Sequence, residues 1–232
     1  MRQLLALLFT LVLTTPLMGQ AEFEANSSFS AEILSAGPGV TFTWEVFPEF
    51  EDVFAQGSAT GFADATDETS SVTLAIGDVF DLFATTNGTA TAFAGQIDST
   101  AITLGLLSVE NTSSSLQDFS IDVAWSLVAD TEVGDAFFQD SLGISAVEIA
   151  LDFDTELLFE TAESISLLES GRDELSDSLT IGIELAPGQI AEFDFIVDSS
   201  GFASNFSVVP EPNGFLGLVL IIAGIAQQRR RR

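Results

Sequence analysis

The chain predicts an all-β fold, an antiparallel β-sandwich of roughly ten strands, from three observations. Apolar residues alternate with polar ones, turn-forming clusters separate the short runs, and helical periodicity is scarce away from the two termini. The first segments are residues 29–33, 40–47, 72–76, 79–84, 89–94 and 102–109, rich in β-branched and aromatic side chains. The clearest alternation comes next: Phe119, Ile121, Val123, Trp125 and Leu127 share one face, and Asp118, Ser120, Asp122, Ala124 and Ser126 share the other. Val147, Ile149, Leu151 and Phe153 repeat the pattern against Glu148, Ala150, Asp152 and Asp154. Leu179, Ile181, Ile183 and Leu185 do so again, and Ala191, Phe193, Phe195 and Val197 follow Pro187-Gly188, a pair that predicts a hairpin. Half-buried strands need a second apolar sheet to cover them, hence the sandwich. Thr86-Asn87-Gly88 and residues 111–115 read as turns between strands, residues 163–174 as a helical turn or long loop, and the Ala/Thr-rich stretch 57–95 as strands with small side chains.

Each end carries a different kind of signal. Arg2 precedes an apolar run at residues 4–13, Pro16 interrupts it, and Gly19-Gln20-Ala21 supplies small residues at cleavage positions, so residues 1–21 read as a secretory signal peptide and the mature chain begins near Glu22. Residues 22–205 form one acidic β-sandwich domain, long enough to bury a core without the disulfides that the absence of cysteine rules out. Residues 206–214 are a linker holding Val209, Pro210, Glu211 and Pro212. The two prolines lack amide donors and fix φ, which keeps this peptide extended and open to an enzyme. Residues 215–228 then read as a single transmembrane helix whose apolar positions include Phe215, Leu216, Leu218, Val219, Leu220, Ile221, Ile222 and Ile225. Arg229, Arg230, Arg231 and Arg232 follow as a cytoplasmic basic tail. At about 1.5 Å per residue, residues 213–228 cover about 24 Å of a hydrocarbon core about 30 Å thick, a short span that suits a temporary anchor.

In this order, the Pro-Glu-Pro motif, the hydrophobic stem and the basic end resemble the PEP-CTERM sorting signal of Gram-negative bacteria over residues 208–232. That resemblance implies recognition by a membrane-embedded exosortase, cleavage near the motif, and release of the body to the cell surface or an extracellular polysaccharide matrix. The stretch from Glu110-Asn111-Thr112 through Leu185-Ala186-Pro187-Gly188 to Phe193 is similar to the second half of extracellular sandwich domains common in such proteins.

Composition narrows the chemistry. All 35 acidic residues lie between residues 22 and 212, against the single base Arg172, a formal charge of −34 for that stretch. Such a body repels nucleic acid, and it meets anionic lipid or acidic polysaccharide only across divalent cations. With no His, Cys, Lys or Tyr, the Ser-His-Asp, Cys-His and Ser-Lys constellations lack a general base, and zinc or iron sites built on His and Cys lack ligands. The residues therefore point to a non-enzymatic surface or matrix protein. The alternatives are a carbohydrate-binding module with an exposed aromatic, or a carboxylate glycosidase, for which Asp152, Asp154 and Glu156 are the densest acids but project at period 2 from a strand into water. Trp44 and Trp125 sit among apolar partners and read as core. Calcium is the one ion that the oxygen-rich composition favours, at low affinity. Asp152, Asp154, Glu156 and Glu163 imitate an EF-hand spacing but place Leu157 where glycine is needed, so loops bearing Asp64, Asp67 and Glu68, or Asp173, Glu174 and Asp177, are the better candidates.

Overall fold

Period-2 alternation is realised as twelve antiparallel strands in the computed structural model, which describes residues 20–47, 50–66, 71–91, 95–134, 139–152, 155–166 and 170–205. The strands are β1 (Ala21–Ala36), β2 (Val40–Val46), β3 (Phe50–Gln56), β4 (Ala59–Ala65), β5 (Ser71–Leu74), β6 (Val79–Ala90), β7 (Gly95–Asn111), β8 (Gln117–Val133), β9 (Gln139–Leu151), β10 (Thr155–Ser166), β11 (Gly171–Leu185) and β12 (Ile190–Asn205). One sheet, here sheet A, has the order β11-β8-β1-β6-β4; the other, sheet B, has the order β10-β9-β12-β7-β2-β5, with β3 beside β7 beyond β2. All connections except β2 to β3 and β9 to β10 pass from one sheet to the other.

The interior has two unlike halves. Toward the Asn111 end it is apolar and aromatic: Trp44 packs on Phe80 with ring centroids 4.3 Å apart, and Phe29 packs on Phe195 at 4.7 Å. Both tryptophans are covered, at 5% exposure for Trp44 and 6% for Trp125, as their apolar surroundings in the sequence predict. Each fully buried large apolar side chain of this kind contributes about 1.5–3 kcal/mol. Toward the Asn205 end the inward residues are small and hydroxylic. Ser199 donates from Oγ to the Ala84 carbonyl at 2.9 Å, and Thr131 shares hydrogen bonds with Ser164 (2.7 Å) and Ser166 (2.6 Å) across the gap between β8 and β10. Phe23 and Ile97 are the large buried side chains of the small apolar cluster there. Phe23 has little room. It lies between Gly88 and Gly201, where an added Cβ would come within 2.3 and 2.0 Å of its ring.

Several sequence expectations change. Thr86-Asn87-Gly88 lies inside β6 rather than in a turn, because Gly88 makes room for Phe23 on the neighbouring β1. Residues 111–115 do separate two strands. The expected hairpin at Pro187-Gly188 is an arch between sheets: β11 pairs with β8 in sheet A and β12 with β7 and β9 in sheet B. Residues 163–166 and 171–174 are strand, belonging to β10 and β11, and not a helical turn or a long loop. The segment expected at residues 89–94 is the end of β6, which stops at Ala90, with residues 92–94 outside the described residues.

Candidate functional site

Antiparallel register decides which acids meet. On the outer face of sheet A, Glu22 stands opposite Glu132, Glu24 opposite Asp130, and Glu32 opposite Asp122, along the β1–β8 ladder. Like charges directly opposite one another destabilise a sheet pair, so this face stores repulsion. The first two pairs, with Asn87 and Thr89 of β6, line a shallow open depression of about 280 Å³. Partial burial first, and then the carboxylate of Glu132, raise the Glu22 pKa. At the next strand Arg172 answers the second pair: its Nη1 donates to Asp130 Oδ2 at 2.9 Å and its Nε to Glu174 Oε1 at 2.7 Å. The hydrogen bonds it donates to Glu174 and then Asp130 raise the guanidinium pKa and keep it charged. None of the paired acids stands out in the sequence, since each pair is about 100 residues apart and only the strand register joins it.

The opposite face, on sheet B, mixes apolar side chains with carboxylates. Asp198 of β12 stands beside Ala146 of β9 and Ile102 of β7. Burial raises its pKa, and its buried Oδ1 accepts no hydrogen bond.

The calcium candidates separate. Asp173, Glu174 and Asp177 are on strand β11 and not in a loop, so Glu174 projects oppositely to the other two. Asp173 Oδ2 instead accepts the Glu163 amide at 3.1 Å, tying the edge of one sheet to the other, and Glu174 is engaged by Arg172. Asp64 is half-buried on β4, while Asp67 and Glu68 lie outside the described residues. Among the described residues no three acids are placed to share a metal ion. Nor is Asp152 on a strand's outer face as expected. It leaves β9 with φ of 53°, donates its amide to the Glu192 carbonyl at 2.7 Å and accepts the Glu192 amide at 3.1 Å, which makes it a clamp on β12. Glu156 is exposed on β10, beside a register shift at 156–158, and Asp154 lies outside the described residues.

Outside them, too, are the expected signal peptide up to residue 19, Val209 to Pro212, the apolar positions from Phe215 to Ile225, and Arg229 to Arg232. No helix among the described residues is long and apolar enough to cross a membrane. No family model and no curated protein sequence matches the chain.

Proposed function

We propose that this is a non-enzymatic surface or matrix protein, an acidic β-sandwich exported by its signal peptide, held briefly in the inner membrane by the stem at residues 215–228, and processed near Pro210 to Pro212. The observation that carries the reading is the order at the tail: an extended Pro-Glu-Pro peptide, an uncharged apolar run, and four arginines. An exosortase is then the processing partner, and extracellular polysaccharide the material with which the released body associates. The large negative charge keeps such a body in solution and apart from its copies. With Trp44 and Trp125 both covered, the sugar-stacking surface of a binding module loses its two natural candidates.

The test is the mass of the exported protein from a Gram-negative host that carries an exosortase. The expected product begins near Glu22 and lacks Arg229 to Arg232, and replacing both Pro210 and Pro212 with alanine leaves the arginines attached. A released wild-type protein that retains all four would refute the processing step.

A further inference from the structure

Strand β1 begins at the peptide bond where the signal peptide is expected to be cut. Gly19 and Ala21 are the small residues at the cleavage positions, so the cut falls between Ala21 and Glu22. This bond lies at the end of a three-stranded ladder, with Ala21 between Val133 and Ala90 and Glu22 between Glu132 and Thr89. Antiparallel partners stand about 4.5–5.5 Å apart, which puts the Glu22 nitrogen within reach of the Glu132 side chain. Glu22, Glu24, Asp130 and Glu132 all line the open depression there, to which β6 adds the neutral Asn87 and Thr89. Beside those two, β4 places Phe62 and Thr60, so no charge comes from that side. On the other side β11 brings Arg172, which pairs with Asp130 and Glu174; among the described residues these are the only ion pairs. The rung of Glu22 and Glu132 therefore holds two carboxylates and no cation from the described residues.

We propose that removal of the signal peptide completes this rung: the α-ammonium created on Glu22 becomes the cation between the Glu22 and Glu132 carboxylates, and so fastens the start of β1. This rests on the signal peptide being cut as proposed above. In the uncut chain the same nitrogen is a neutral amide, and the facing acids repel one another. The composition makes one new charge count, because residues 22–212 hold a single arginine and no lysine or histidine, so the ammonium doubles the positive charge of the body. It also arrives on the strand where it is needed. Strand β1 is central in sheet A and sets Glu22, Glu24 and Glu32 against acids of β8. Burial and Glu132 raise the Glu22 pKa in the uncut chain, and a cation at the rung draws that carboxyl back toward its charged form. The carboxylates in turn hold the amine protonated to higher pH. The stability gained is fully present below the unfolded amine's pKa of about 7.7–8.0 and is lost as pH rises through the folded value.

The chain has no lysine, so this α-amine is its only primary amine and a reagent for amines marks one site. The exported protein is recovered, its first residue is read by mass, and its amine is dimethylated with isotope-labelled formaldehyde and titrated by NMR. The folded chain is expected to titrate about one pH unit above the same labelled chain unfolded in urea. Glu132→Gln is expected to remove at least half of that difference. Glu110→Gln, at the far end of the other sheet, is expected to leave it unchanged. Equal titration of the folded and unfolded chains overturns the proposal. So do equal effects of the two substitutions, which would assign the difference to the overall charge. An exported chain that starts elsewhere than Glu22 refutes the cleavage reading and the proposal with it, whereas an ordinary titration from a chain that starts at Glu22 refutes the proposal alone.

Discussion

Asp198 shows how a single residue can oppose the fold that holds it. It projects from β12 between Ala146 and Ile102, and burial lifts its pKa with no donor to compensate Oδ1. The folded chain therefore holds the Asp198 proton more tightly than the unfolded chain does. The stability gained from this is fully present below the unfolded pKa and lost as pH rises through the folded one. Asp198→Asn is thus expected to raise stability at pH 7 by about 1 kcal/mol, and the melting temperature by about 2–4 °C. At pH 3, where the folded and unfolded carboxyls both carry the proton, the gain should shrink toward nothing; a calorimetric scan at each pH that finds equal gains contradicts the assignment. Phe23 and its two glycines make the complementary point. Gly88 and Gly201 both make room for a ring far away in the sequence, Gly88 for Ile97 as well, and nothing near either glycine in the sequence names that ring.

The strands were legible wherever large apolar residues alternate, and too short wherever they do not. The segment expected at residues 29–33 is the middle of β1, which begins at Ala21 because Phe23, Ala25 and Ser27 also face inward. Where the sheets approach closely the inward side chains must be small, and Ser27, Ser145 and Ser199 donate their hydroxyls to carbonyls of the facing sheet, so burial there leaves no apolar trace in the sequence. A Cβ on Gly143 of β9 would lie 3.3 Å from the Glu24 and Asp130 carbonyls of the opposite sheet, which measures that approach. The arch at Pro187-Gly188 was legible as a reversal but not as a crossing, since the turn residues are the same for both. What makes it a crossing is Asn111, fully buried at the end of β7. Its Nδ2 donates to the Leu185 carbonyl at 2.9 Å and the Ser115 carbonyl at 2.8 Å, its Oδ1 accepts the Ser113 amide at 3.0 Å, and its backbone carbonyl accepts the Gly188 amide at 2.8 Å. Asn111→Asp keeps the shape but removes the two side-chain donations. Urea denaturation should show it destabilised by about 2–4 kcal/mol with an unchanged m-value, because it leaves buried carbonyls unpaired beside a buried carboxylate. A loss below about 0.5 kcal/mol, the scale of an ordinary surface change, would remove Asn111 from this role.

At the scale of the whole molecule the charge dominates. A formal charge of −34 on residues 22–212, with Glu22, Glu24 and Glu32 facing acids across the β1–β8 ladder, makes self-repulsion a standing cost of compactness. Monovalent salt should therefore raise the melting temperature at pH 7, by screening over a Debye length of about 8–10 Å, and should do little near the pI of about 4.1. A melting temperature independent of salt at pH 7 would show that the facing acids cost nothing. The calcium candidates in the sequence were chosen by density along the chain, whereas the acids that the register brings together come from strands about 100 residues apart. By itself, then, the sequence determined the all-β class, the inward faces of the strongly alternating strands, the covered tryptophans and the acidic character, because side-chain period, apolar burial and charge count are local or additive properties. Tertiary structure alone decided which acids face each other and which reversals cross between the sheets, because those depend on the partner each strand finds.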